Sequence, residues 1–299
     1  MTCIIKSLNI KGVGGKTKQT AVKELAKSTD ILLLQETHGQ KETWNRITGK
    51  KNTCHAIKNN TSAGCATFTD YDIIGRTFSH NGRICLSEVQ CGEHKILIGS
   101  IYAPNTNGTR SAINKYNTFL GKLREALQSY DNDKIILMGD FNVVMDDYLD
   151  NLGSNPSNHE ESAENLQNLL DDLGLVDAFR IQHAEERVFS YAPMGHNVNN
   201  IFRRLDYVFA TNFTLELIES IKYTYTHISD HKTLTVRLNT SKIKVKKGLW
   251  RHNNMHNKDP LFVTSLKEHV RNVVAMEFDN PSAKWEWIKF QIGVFCREY

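Results

Sequence analysis

The sequence predicts a mixed α/β domain built on two packed sheets. Short, nearly continuous apolar runs of strand length recur along the first 240 residues. Helical periodicities fall between some of these runs, but the alternation is not strict. Polar or charged residues repeatedly close the apolar runs. In chain order, Cys3 to Ile10 reads as a strand, and Lys11 to Lys18 as a glycine-rich turn. Gln19 to Lys27 has the spacing of a short helix, and Ile31 to Gln35 is a strand buried on both faces. Strands are expected over Gly64 to Phe68, Tyr71 to Phe78, Arg83 to Gln90 and Lys95 to Tyr102. A helix follows over Ala112 to Leu127, then a buried strand over Ile135 to Met138, then a helix from Glu161 to Leu173 stopped by Gly174. Later strands are expected at Arg187 to Tyr191, Arg204 to Ala210, Ile218 to Thr224 and Thr233 to Leu238.

Composition changes near residue 240. Ser241 to Gly248 carries four lysines and no acid, and Pro260 to Phe278 and Ala283 to Arg297 read as two helices. The expected organisation is a domain over 1–240 and a basic linker with a helical appendage over 241–299. The net charge of +4 is compatible with a nucleic-acid partner without requiring one. None of the six cysteines forms a Cys-x-x-Cys pair, so a zinc knuckle is not expected. Reduced thiols filling the core, in an intracellular protein, are the expectation. No run reaches the roughly 18–20 apolar residues of a membrane span, and the apolar start reads as a strand, not a signal peptide.

The chemistry is carried by the residues at strand ends. Asn9 ends the first strand, Glu36 the second, Tyr102 another, and Asp140 and Asn142 close Met138-Gly139-Asp140-Phe141-Asn142. Asp206 lies in Arg204-Leu205-Asp206-Tyr207, and Ser229-Asp230-His231 precedes the last strand. In α/β folds sites collect at strand ends, where chain passes into loops. Each residue alone is also what a turn, a helix cap or a sheet rim would carry. Together they suit one reaction class. Hard carboxylate oxygens from Glu36 and Asp230 suit Mg²⁺ or Mn²⁺, not zinc. Asp140 is placed to position or deprotonate a water. Asn9, Asn142, Tyr102 and His231 are donors for phosphate oxygens.

These motifs, in this order, resemble the endonuclease/exonuclease/phosphatase superfamily over residues 1–240. Leu34-Gln35-Glu36-Thr37-His38, Ile101-Tyr102-Ala103-Pro104-Asn105 and Leu175-Val176-Asp177-Ala178-Phe179-Arg180 narrow the resemblance to the endonuclease domain of LINE-type, non-LTR retrotransposon proteins. Gly248 to Asn254 resembles the stretch between that domain and the reverse transcriptase. The resemblance implies a four-layer α/β/β/α sandwich of two mixed sheets. It also implies roles: Glu36 as main metal ligand with Asn9 and Asp230 beside it, Asp140 orienting the attacking water, and Asn142 holding the phosphate. His231 would bind the scissile phosphate, oriented by Asp206, with Tyr102 supporting the transition state. Two positions depart from the pattern: Val188 stands where the family often has a hydroxyl, and Lys11 stands where the repair enzymes have an acid.

The expected activity is a Mg²⁺-dependent (Mn²⁺ is the alternative) nick in one strand of double-stranded DNA, leaving a 3′-hydroxyl to prime reverse transcription. Candidate DNA contacts are Lys6, Lys11, Lys16, Lys18, Arg110, Arg203, Arg204 and Ser229, with Pro193 to Phe202 as a target-choosing segment. Element RNA is a further partner, for which the Lys242 to Arg251 stretch is a candidate contact, and a reverse transcriptase domain is expected in a longer parent chain. A monomer acting in the nucleus is expected. Three other readings stand open: abasic-site repair, a phosphatase acting on lipid or inositol phosphates, and an inactive nucleic-acid-binding remnant. Intact Glu36, Asp140 and His231 weigh against the last.

Overall fold

Strand register and residue parity explain where every functional side chain ends up. The computed structural model describes residues 2–12, 14–58, 63–130, 133–153, 159–193, 201–241, 254–276 and 281–298. Lys242 to Arg251, and most of the Pro193 to Phe202 and Gly248 to Asn254 segments, lie outside the described residues.

The first sheet has six strands: β1 (Thr2–Asn9), β2 (Ile31–Gln35), β3 (Asn52–Ala56), β4 (Cys65–Thr69), β13 (Ile218–Thr224) and β14 (Thr233–Asn239). Their spatial order is β13-β14-β1-β2-β4-β3, with only β1 and β2 parallel. The second sheet comprises β5 (Ile73–His80), β6 (Ile84–Cys91), β7 (His94–Tyr102), β8 (Ile135–Asp140), β10 (Leu175–Asp177) and β12 (Asp206–Thr211). Its order is β10-β12-β8-β7-β6-β5, with only β7 and β8 parallel. A small two-stranded pairing joins β9 (Asn151–Leu152) to β11 (Phe202–Arg203).

Alternation along each strand sends one set of side chains between the sheets and the other toward helices. Cys3 and Ile5 on β1, Ile31 and Leu33 on β2, Ile96 and Ile98 on β7, Ile136 and Met138 on β8, and Val208 and Ala210 on β12 form the inter-sheet core. The opposite parity of the first sheet (Leu8, Leu32, Leu34) packs on α1 (Lys16–Lys27) and α2 (Lys41–Thr48) through Val22, Ala26, Trp44 and Ile47. The opposite parity of the second (Leu97, Ile101, Leu137, Tyr207, Phe209) packs on α3 (Arg110–Gln128) and α4 (Glu160–Asp172). The result is the four-layer α/β/β/α sandwich. Inside it, the buried Gln35 amide donates to Ser7 Oγ on its own sheet (3.1 Å) and to Ser100 Oγ on the other (3.0 Å), so its polar atoms are satisfied across the layer.

Local signals set the helix ends. The Thr109 hydroxyl caps α3 by accepting from Ala112 N, acidic Glu160 and Glu161 open α4, and Gly174 turns the chain with φ +63° after it. Two short elements escape the apolar pattern: α2 buries little besides Trp44 and Ile47, and β3 alternates between buried and half-buried positions. The short β9, β10 and β11, α5 (Ala178–Gln182) and α6 (Asn212–Leu217) are likewise too brief to show a period. One expected strand is absent: Arg187 to Tyr191 is irregular, with only isolated bridges from Tyr191 to Arg203 and His231. Its polar groups are used elsewhere. Arg187 donates to the Tyr148 and Asn151 carbonyls, and the Ser190 and Tyr191 amides share one acceptor, Arg203 O.

Beyond the sandwich, a 3₁₀ turn (Asn254–Lys258) leads into α7 (Pro260–Val274), capped by Asp259, and α8 (Pro281–Glu298). Phe262 packs against Phe295, and Lys258 pairs with Asp172 at the end of α4. No helix among the described residues is long and apolar enough to cross a membrane. All six cysteines are free.

Candidate active site

Asn9, Tyr102, Asp140 and Asp206 share the inter-sheet parity, and all lie at the same end of the sandwich. Asn9 is the last residue of β1. Tyr102 is level with Asp140 across the parallel β7–β8 pair, and Asp206 is level with Asp140 across the antiparallel β12–β8 pair. Because β14 runs antiparallel to β1, the loop into its start brings Ser229, Asp230 and His231 to the same rim. Residues separated by more than 200 positions therefore meet by register alone.

The hydrogen bonds are specific. The buried Asn9 amide donates to Glu36 Oε1 and to Asp140 Oδ2, both at 2.9 Å, so it ties the two carboxylates together. Asp140 Oδ1 accepts from the Asn142 backbone at 2.9 Å. His231 Nδ1 donates to Asp206 Oδ2 at 2.7 Å, which turns Nε2 toward Asp140 Oδ2, 4.0 Å away. Ser190 Oγ accepts from the Leu205 and Asp206 amides and fixes the start of β12. The backbone is held left-handed at Lys11 (φ 51°), Glu36 (φ 52°) and Asn142 (φ 52°). Non-glycine residues rarely adopt that conformation, and it turns Lys11 and Glu36 off the line of their strands toward Asp230 and Asn9. Gly139 is required before Asp140: a Cβ there would lie 2.0 Å from the Ile101 carbonyl.

Electrostatics follow from burial and pairing. Burial pushes the Asp140 carboxyl up to about 7, against the opposing pull of His231. Burial pushes the His231 ring down, but Asp206, helped by Asp140 and Asp230, outweighs it and holds the ring up at about 9. Burial raises the Tyr102 phenol well above its ordinary value, reinforced by Glu36 and Asp140, so it remains a donor. The hydrogen bond from Lys11 to Asp230 holds that ammonium above the usual lysine value.

A divalent cation is implied by the family resemblance, and the residues fit one. Asp230 is buried and its Oδ1 has no hydrogen-bond partner, an orphaned oxygen of the hard type such ions take. Glu36 Oε2 is engaged only loosely, 3.7 Å from His38 Nε2. Among the described residues no cluster of three or more His, Cys, Asp or Glu side chains is gathered to hold a metal. Glu36, bonded to Asn9, and Asp230 are the two carboxylates here with a loosely engaged or free oxygen.

Two expected DNA contacts, Arg204 and Ser229, need correction. Arg204 cannot meet DNA at the surface. It is 1 % exposed, and its guanidinium grips Asp150 twice (2.8 Å each) and Asp177 at 2.7 Å, over the Tyr207 ring. Ser229 is also buried; its hydroxyl donates to Asn9 O and accepts from His231 N, so it fastens the loop instead of facing solvent. The Asn142 side-chain amide donates to Ala103 O at 2.9 Å, so here it braces the turn after β7. Arg110 is exposed and paired with Glu161, Arg203 is half-buried in β11, and Lys11 is drawn to Asp230. Lys16 is exposed, and Lys6 and Lys18 are partly covered.

Sequence reasoning passed over four residues. His38 faces Glu36 and was legible only as its near neighbour. Arg83 stacks over the Tyr102 ring at 4.5 Å and donates to the Tyr102 and Ala103 carbonyls, with nothing in the sequence to mark it. Thr106 links the Asn142 carbonyl to His159, and Ser190 holds β12; both are ordinary hydroxyls in the sequence.

Comparison with known proteins agrees with this geometry. Residues 7–231 match the family model described as Endonuclease/Exonuclease/phosphatase family. The chain is 25 % identical over 313 aligned positions to the Transposon TX1 uncharacterized 149 kDa protein of Xenopus laevis, covering all of this chain and 23 % of that protein. It therefore spans about a quarter of that relative's length. A 3′ phosphatase, NExo, from Neisseria bound to a product DNA hairpin superimposes with a TM-score of 0.64 at 17 % identity, over 79 % of this chain and 99 % of that one. An AP endonuclease from Archaeoglobus fulgidus gives 0.64 at 18 % identity over the same shares. AP endonuclease LMAP from Leishmania major gives 0.63 at 15 %, over 80 % and 88 %. These structures show the fold, and the family model, running from β1 through the paired Asp206 and His231, shows that the chain belongs to the endonuclease/exonuclease/phosphatase family.

Proposed function

We propose that the chain is a divalent-cation-dependent endonuclease that nicks one strand of duplex DNA. The observation that carries the reading is the single buried constellation in which Asn9 ties Glu36 to Asp140 while Asp206 turns His231 toward the same Asp140. It sets a proton acceptor, a cationic donor and hard oxygen ligands around one place. That combination suits attack of water on a phosphodiester.

Asp140, in its ionised form, takes a proton from the attacking water. The new oxygen–phosphorus bond forms as the bond from phosphorus to the 3′-oxygen breaks. The departing 3′-oxygen takes a proton from water, leaving a 3′-hydroxyl and a 5′-phosphate. The protonated His231 and the Tyr102 hydroxyl donate to phosphate oxygens as their charge grows. A Mg²⁺ or Mn²⁺ held by Glu36 and Asp230 would supply Lewis-acid stabilisation of that charge.

Two exposed aromatics with cations over them suit a polyanion. Tyr148, on the loop after β8, and Tyr225, just after β13, are 76 % and 82 % exposed. Arg187 lies over the first ring and Lys232 over the second, at 5.4 and 4.2 Å. The likeness to the transposon protein over the whole chain supports placing this activity in a longer retroelement protein acting on nuclear DNA, where the 3′-hydroxyl primes reverse transcription.

The test compares an intact supercoiled plasmid with a duplex carrying one abasic site, followed by extension of the product with a DNA polymerase. Nicking of intact DNA with ends that extend directly is expected. Cleavage confined to the abasic duplex would replace this reading with repair.

A further inference from the structure

A cation already stands inside the site. Lys11 Nζ stands 2.6 Å from Asp230 Oδ2, on a carboxylate whose side chain is only 5 % exposed. The lysine is rooted there by its backbone. Its N–H donates to Asn9 Oδ1 at 3.2 Å, and the next amide, Gly12 N, donates to Glu36 O at 2.7 Å. Lys18 adds a second ammonium, donating to the Lys11 carbonyl at 3.2 Å. Two lysines thus gather around the two carboxylates that would hold a divalent ion, and Asp230 keeps one oxygen unpaired.

We propose that the Lys11 ammonium is a built-in counter-ion of Glu36 and Asp230, whose charge opposes a divalent ion at the free Asp230 Oδ1. This rests on the reading that those two residues are the cation's ligands. An ammonium held 2.6 Å from Asp230 Oδ2 repels a dication on the neighbouring Oδ1 of the same carboxylate. Loading of the ion is therefore weaker than the carboxylates alone would give, and the lysine sets the affinity.

The probe is Mn²⁺, titrated into the full chain without DNA and followed by the electron paramagnetic resonance signal of the free ion. Lys11→Met removes the charge at an exposed position and keeps the chain length; Lys11→Arg keeps the charge. The expected result is Mn²⁺ binding about tenfold tighter in Lys11→Met and unchanged in Lys11→Arg, with the gain abolished when Asp230→Asn is added. Equal or weaker binding in Lys11→Met overturns the proposal, as does an equal gain in Lys11→Arg or no Mn²⁺ binding in any form. Plasmid nicking by the wild-type chain judges the nuclease reading separately: nicking without the Lys11→Met effect removes only this proposal, and the effect without nicking removes only the nuclease.

Discussion

His231 shows how acidic neighbours fix a protonation state. Burial alone would strip the ring of its proton; Asp206 at 2.7 Å, with Asp140 and Asp230, reverses that and holds it at about 9. The folded value lies above the ordinary 6.5, so the pairing stabilises the fold fully below pH 6.5 and that contribution is lost as pH rises through 9. Asp206→Asn should remove the strongest upward pull and lower the ring from about 9, read from the pH titration of the His231 carbon resonance by NMR. A ring still titrating near 9 in that variant would show that Asp206 does not set it. In nicking assays the same variant should lose its alkaline activity at lower pH than the wild type. At this scale the sequence was informative about identity and silent about wiring. Glu36, Asp140 and His231 stand out because polar residues close apolar runs. Nothing in the order of residues reveals that the Asn9 amide spends both protons on Glu36 and Asp140, or that Lys11 lands on Asp230 across 219 positions.

Among the elements, long apolar runs announce themselves and short or polar ones do not. β1, β2, β7 and β8 are legible because both faces are buried, one on the opposite sheet and one on helices. The Lys41–Thr48 helix and the Asn52–Ala56 strand are obscured by polar faces, and Arg187 to Tyr191 has strand-like composition without a ladder partner. Arg204 misleads for a different reason: a charged residue is ordinarily read as surface, but this one lies beneath the loop after β8, paired with Asp150 and Asp177. Arg180 also pairs with Asp150, so β9, α5 and the entry to β12 hang on one buried ion network. Arg204→Met leaves Asp150 buried with half its partners. It should cost about 3 kcal/mol in urea unfolding, the scale expected when one side of a buried pair is removed. A loss under about 1 kcal/mol would mean that the network is not what holds these elements.

For the whole molecule, the site is a consequence of topology. Strands that bury alternate residues between two sheets bring the last residue of that parity to the sandwich end, and β1, β7, β8 and β12 place Asn9, Tyr102, Asp140 and Asp206 there. The two-sheet class was legible from the run of strands, whereas the pairing order β13-β14-β1-β2-β4-β3 was not, because it depends on contacts far apart in sequence. The proposed DNA contact rests on exposed Tyr148 and Tyr225, each with a cation over its ring. The most direct test is nicking of supercoiled plasmid by the full chain with Mg²⁺, with EDTA, and with Asp140→Ala. The account predicts nicking in Mg²⁺ alone, with EDTA abolishing it and Asp140→Ala reducing it by at least about a hundredfold. Well-folded wild-type protein that leaves the plasmid intact in both Mg²⁺ and Mn²⁺, or Asp140→Ala nicking as fast as wild type, would contradict it.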